Sequence, residues 1–166
     1  LCDVRGEKAV LMKREKVRFL QDNILAYQDK VWGDGDIFAD YQCSPGVKVD
    51  QYREGQMYRV LISLRGAKHR GEVEEFHIER TIKNGFLSHM GYYQIDIDHE
   101  TKQASVSLVF PKPRPAKYVM LIEKNTHRTT LLGPESTQRL PDGRQQITWH
   151  TDKPRLFESY TMQWEW

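Results

Sequence analysis

Apolar and polar positions along the chain fall into two regimes. From Ala9 to Val31 there is neither glycine nor proline, and Val10, Val17, Ile24 and Val31 recur every seven residues. Lys13, Leu20 and Tyr27 occupy the second apolar position of successive heptads. Residues at such spacing share one side of a helix, so the pattern predicts a long amphipathic α-helix. β-Branched residues at its first heptad position favour two-stranded pairing. Arg14, Glu15, Lys16, Arg18, Gln21, Asp22 and Asp29 would form the solvated side. Gly33 would supply a left-handed cap, and Asp34-Gly35-Asp36 could not continue the helix. The seam of Val17, Leu20, Ile24, Tyr27 and Val31 has two readings. It packs onto the protein's own β domain, or it pairs with a partner as a linker or dimerisation element.

After Pro45-Gly46 the period becomes two. Tyr58, Val60, Ile62 and Leu64 share one strand face, and Phe76, Ile78 and Ile82 share another. Tyr93, Ile95 and Ile97 alternate with polar residues, as do Ala104, Val106, Leu108 and Phe110. His99 to Lys102 between them reads as a hairpin turn. Pro111-Lys112-Pro113-Arg114-Pro115 cannot join a hydrogen-bonded ladder and suits a crossing from one sheet to another. Lys117–Lys124 and Thr129–Leu132 form a further hairpin, Pro141-Asp142-Gly143 turns the chain again, and Tyr160, Met162, Trp164 and Trp166 alternate in a last strand. The expected fold is mainly β: an antiparallel two-sheet sandwich of immunoglobulin-like architecture, preceded by the long amphipathic helix. The expected organisation is a helix over 1–32, a connecting loop segment over 33–57 and the sandwich over 58–166.

Composition narrows the function classes. Twenty-five basic residues against twenty-three acidic ones give a net charge of +2, which makes nucleic acid an unlikely partner on general attraction. No apolar run approaches the ~20 residues of a membrane span. Cys2 and Cys43 have no metal-site or disulfide spacing and read as free thiols in a reducing compartment, so a cytoplasmic protein is expected. A chain opening on Leu1 reads as a piece of a larger protein.

Few residues stand at the spacings that chemistry requires. Glu75, His77 and Glu79 project from one strand face, which could serve a hydrolase assembled from distant residues but is also what any solvated strand shows. Asp34, Asp36 and Asp40 lack the spacing of a calcium loop and suit a capping turn. There is no phosphate loop and no Gly-x-Ser-x-Gly elbow; no metal, cofactor or catalytic residue is assigned. Arg80 falls on the apolar side of its strand and needs a partner, either an ion pair or a ligand. Lys112, Arg114 and Lys117 beside Tyr118 read as a candidate anion edge, or as cations that protect a sheet edge. The expected function is a non-enzymatic regulatory, sensory or protein-interaction module. Its partner would be another protein or its own copy through the front helix, with a small ligand as a further candidate.

Overall fold

A computed structural model describes all of residues 1–166. It contains thirteen strands and one 3-10 turn at Pro134–Ser136, and no α-helix. No helix is long and apolar enough to cross a membrane, which says nothing of strands. The chain divides into two compact units: Glu7–Gly85, and Leu1–Gly6 with Phe86–Trp166.

The first unit holds six strands: β1 (Lys8–Arg18), β2 (Ile24–Val31), β3 (Asp36–Ser44), β4 (Val47–Glu54), β5 (Met57–Lys68) and β6 (Val73–Lys83). They form two antiparallel sheets, ordered β1-β6-β3 and β2-β5-β4. The expected helix is therefore two strands, and the expected loop over 33–57 contains two more.

The reason lies outside the local pattern. β1 pairs along all eleven of its residues with β6, some sixty-five positions away. This long ladder overrides a seven-residue spacing whose members, Val10, Val17, Ile24 and Val31, are β-branched and suited to a pleated surface. Asn23, in the left-handed region at φ 60°, turns the chain where no glycine marks it. Phe76, Ile78 and Ile82 of one sheet and Val31, Val60 and Ile62 of the other are buried, and Tyr27 stacks on Phe76 with ring centroids 4.1 Å apart.

The second unit holds β7 (Met90–Asp96), β8 (Ala104–Phe110), β9 (Tyr118–Glu123), β10 (Arg128–Leu131), β11 (Thr137–Arg139), β12 (Gln145–Thr151) and β13 (Ser159–Glu165). The sheet orders are β10-β9-β13-β7 and β11-β12-β8. The prolyl segment does carry the chain from one sheet to the other, between β8 and β9. The expected hairpin at 99–102 is absent: β7 pairs with β13 and β8 with β12, so this turn is also a crossing. An immunoglobulin-like sandwich over 58–166 does not stand, because β5 and β6 are claimed by the strands of the would-be helix and loop.

Phe110, Val119, Leu121, Ile147, Trp149, Met162, Trp164 and Trp166 form one core between the two sheets. Gly91 is required there. A Cβ on it would lie 2.5 Å from the Trp164 indole.

Candidate interaction face

Each unit carries one distinctive grouping of side chains, a buried polar network in the first and a solvent-facing sheet surface in the second. In the first unit, β1 and β2 border different sheets and share no ladder. Their side chains bridge the seam instead. Lys13 Nζ donates to Asp29 Oδ1 at 3.0 Å and pairs with Glu15 at 2.6 Å, while the Tyr27 hydroxyl donates to Glu15 at 2.7 Å. Tyr41 on β3 donates its hydroxyl to the other Asp29 oxygen at 3.0 Å.

Asp29 is only 2% exposed, so these donors are what make its burial tolerable. Burial, reinforced by the neighbouring carboxylates, pushes both phenols well above their ordinary value. Burial alone would lower Lys13, but Asp29, Tyr27 and Glu15 outweigh it and hold the ammonium charged far into the alkaline range. A charged lysine and two neutral phenols make a closed, satisfied network. It offers neither a free base nor an activated nucleophile, and its visible work is to fasten two sheet edges.

The residues of the expected helical seam lie around this region but not in one stripe. Val17, Ile24 and Tyr27 pack against the buried cluster of Phe19, Leu64 and Phe76, and Val31 is buried. Leu20 sits in the turn, 75% exposed. Arg80 is buried on β6, opposite Leu11 on one side and Tyr41 on the other.

The second unit presents a different surface. In β9 the inward residues are Val119, Leu121 and Glu123, which leaves Tyr118, Met120 and Ile122 on the outer face. The register aligns them across four strands. One row runs Leu131, Met120, Gln163, Tyr92; the next Thr129, Ile122, Thr161, Gln94; and the third Tyr118, Glu165, Met90.

Leu131 is 64% exposed, Tyr92 53% and Met90 46%, with Tyr118, Met120 and Ile122 half-buried between them. Polar groups at both ends of the face are already satisfied. Lys117 donates to Glu165 at 2.5 Å and holds that carboxyl below its usual range. At the other end Thr161 donates to Gln94 at 3.1 Å, Gln94 to Asp96 at 2.8 Å and Ser159 to Asp96 at 2.6 Å. The face thus carries two apolar groups, Leu131, Met120, Ile122 and Tyr118 on β10 and β9 and Tyr92 with Met90 on β7, divided by the polar Thr161, Gln163 and Glu165 of β13.

No protein-family model, curated protein or solved structure matches this chain.

Of the candidate ligand contacts, Lys117 and Tyr118 lie on this face. Arg114 lies elsewhere: its guanidinium stacks 3.8 Å from the Trp166 ring centroid, donates to the Val4 carbonyl at 2.8 Å and meets His89 at 3.4 Å. Lys112 borders an open pocket with Pro115, Thr137, Gln138, Arg139, Gly143 and Gln145. The expected anion edge therefore separates into a stacked Arg114, a paired Lys117 and a lone cationic position at Lys112.

His77 stands on an exposed strand face, 3.3 Å from Glu75, which Arg14 also approaches at 3.6 Å. Asp36 accepts from the Phe38 amide and Asp40 from Gln42, as capping and surface groups do. The face residues Tyr92, Met120 and Ile122 were not singled out in the sequence. Their signal was present as apolar residues on the off-parity of patterned strands: Met120 and Ile122 alternate with Val119 and Leu121, so both faces of β9 are apolar.

Proposed function

We propose that this protein is a non-enzymatic interaction module whose working surface is the outer face of the β10-β9-β13-β7 sheet. The observation that carries the reading is the alignment of Leu131, Met120, Ile122, Tyr118, Tyr92 and Met90 on one solvent-facing sheet surface. Contiguous exposed apolar patches on proteins mark contact sites, whereas single exposed apolar residues are ordinary. The charged groups of the face are already paired, so it selects against anionic partners such as nucleic acid and favours an uncharged protein surface.

A second copy of the same face meets that requirement, since its two apolar groups, the polar β13 strip between them and its internally paired Lys117–Glu165 are compatible with their own two-fold image. Four strands of four to seven residues, about 4.8 Å apart, give roughly 400 Å² in plan. Side-chain relief brings this to the low end of specific interfaces, so association should be weak and concentration-dependent.

Sedimentation equilibrium tests this. The mass of the wild type should rise from one copy toward two between about 10 μM and 1 mM, the range expected for a small interface. Met120→Glu should stay at one copy with an unchanged thermal midpoint. A wild type that remains a single copy throughout that range overturns self-pairing through this face.

A further inference from the structure

We propose that the cleft between the prolyl segment and the β11–β12 hairpin binds a small molecule bearing a phosphomonoester dianion. Lys112 and Arg139 are its charge partners, with the Gln145 amide as a further donor.

The walls of the cleft are fixed by the local chain. Arg114 N–H donates to the Pro111 carbonyl at 3.0 Å, which folds the prolyl segment into a turn. The opposite wall is the hairpin closed by Gly143 N–H to Leu140 O at 2.9 Å and Leu140 N–H to Arg144 O at 2.8 Å. Gly143 has φ +86°, and a Cβ on it would lie 3.0 Å from Lys112 Cδ; its hydrogen leaves room for the lysine stem to pass. Arg139 is opposite Gln145 in the β11–β12 ladder. The cleft is a shallow, open-mouthed space of about 160 Å³, smaller than a drug-sized ligand site and suited to a single anionic group.

The cations around this cleft are of two kinds. Arg144 is tied to Asp142 at 2.7 Å and Arg114 is stacked on Trp166. Lys112 and Arg139 have no carboxylate partner. Two uncommitted cations on facing walls leave a positive field with nothing of the protein's own to answer it.

Gln145 adds orientation. Its Oε1 accepts the Ala116 N–H at 2.8 Å, which leaves its amide NH₂ as the outward donor. Thr137 spends its hydroxyl proton on the Gly133 carbonyl at 3.2 Å. The donors therefore outnumber the acceptors, the arrangement for an oxyanion carrying two charges. No carboxylate and no histidine lines the cleft.

Titration with inorganic phosphate, followed by amide NMR shifts at constant ionic strength with chloride as counter-anion, tests the site. Saturable shifts at Lys112, Arg139 and Gln145 are expected, with millimolar affinity appropriate to an exposed, salt-screened site. Lys112→Ala with Arg139→Ala should weaken binding at least ten-fold while leaving shifts elsewhere in place.

The second ionisation of inorganic phosphate lies near neutrality, about one unit above that of a phosphomonoester, so affinity should rise between about pH 6 and 8 as the dianion forms. Sulfate is a dianion throughout and should bind with no such rise. Non-saturating shifts, unaltered binding in the double variant, or a phosphate affinity indifferent to pH would each overturn the proposal.

Discussion

Asp29 shows how one buried carboxylate organises its surroundings. It accepts a hydrogen bond from Lys13 on one oxygen and from Tyr41 on the other. Removing it as Asp29→Ala would leave the Tyr41 hydroxyl without its acceptor and the Lys13 ammonium with Glu15 alone. A broken buried ion pair costs about 3–5 kcal/mol, and urea titration should read a loss of that order. Replacing both charges, as Lys13→Met with Asp29→Leu, should recover much of it.

The phenols set a pH response of definite sign. Tyr27 and Tyr41 keep their protons in the folded state at pH values where the unfolded chain releases them, near 10. The stability they carry is complete below about pH 10 and is lost as pH rises above it, by up to about 1.4 kcal/mol per pH unit for each phenol. Denaturant midpoints between pH 9 and 11 should fall steeply in the wild type and less steeply in Tyr41→Phe. Gly91 supplies a packing test. Gly91→Ala should cost about 1–3 kcal/mol by driving a methyl into the Trp164 indole, measured by thermal unfolding.

At the scale of elements, the first thirty residues show where sequence pattern and structure part. Valine and isoleucine every seven residues satisfy a helical template, yet the same residues also suit strands. What decides between them is β6, which lies too far along the chain for a local window to see. The turn that breaks the pattern rests on Asn23 rather than on glycine or proline, so no strong punctuation marks it. Asn23→Gly should be near neutral and Asn23→Ala should cost about 1 kcal/mol, because an alanine Cβ resists φ 60°. Denaturant unfolding of the two variants compares them directly.

Most strands from Met57 onward were legible because apolar residues alternate along them and most of their turns carry Pro, Gly or Asn. Which strands become neighbours was not. The connection at 99–102 has hairpin composition, but β7 and β8 find partners far ahead in sequence. The working face was hidden for the same reason, since Met120 meets Tyr92 only through β13. Arg139 was missed as a surface arginine in a three-residue strand, and only the pairing that sets it opposite Gln145 gives it a role.

At the scale of the whole molecule, every strand of the Glu7–Gly85 unit finds its ladder partner within that unit. The fragment 7–85 should therefore fold alone, with dispersed amide NMR signals and the far-UV circular dichroism of a β protein. A fragment of 86–166 lacks residues 1–6, and the Leu1 side chain packs against its core. It should be less stable than the intact second unit, by an amount that thermal unfolding reads. The chain leaves this second unit after Gly6 and re-enters it at Phe86, with Phe86 N–H donating to the Gly6 carbonyl at 3.3 Å. During synthesis the first six residues thus emerge long before the strands they complete. The six-stranded unit can close while the ribosome is still translating, but the seven-stranded one must wait for β13, whose ladder joins β7 to β9. The exposed apolar strands of that later unit are the interval in which a nascent chain has most need of a chaperone.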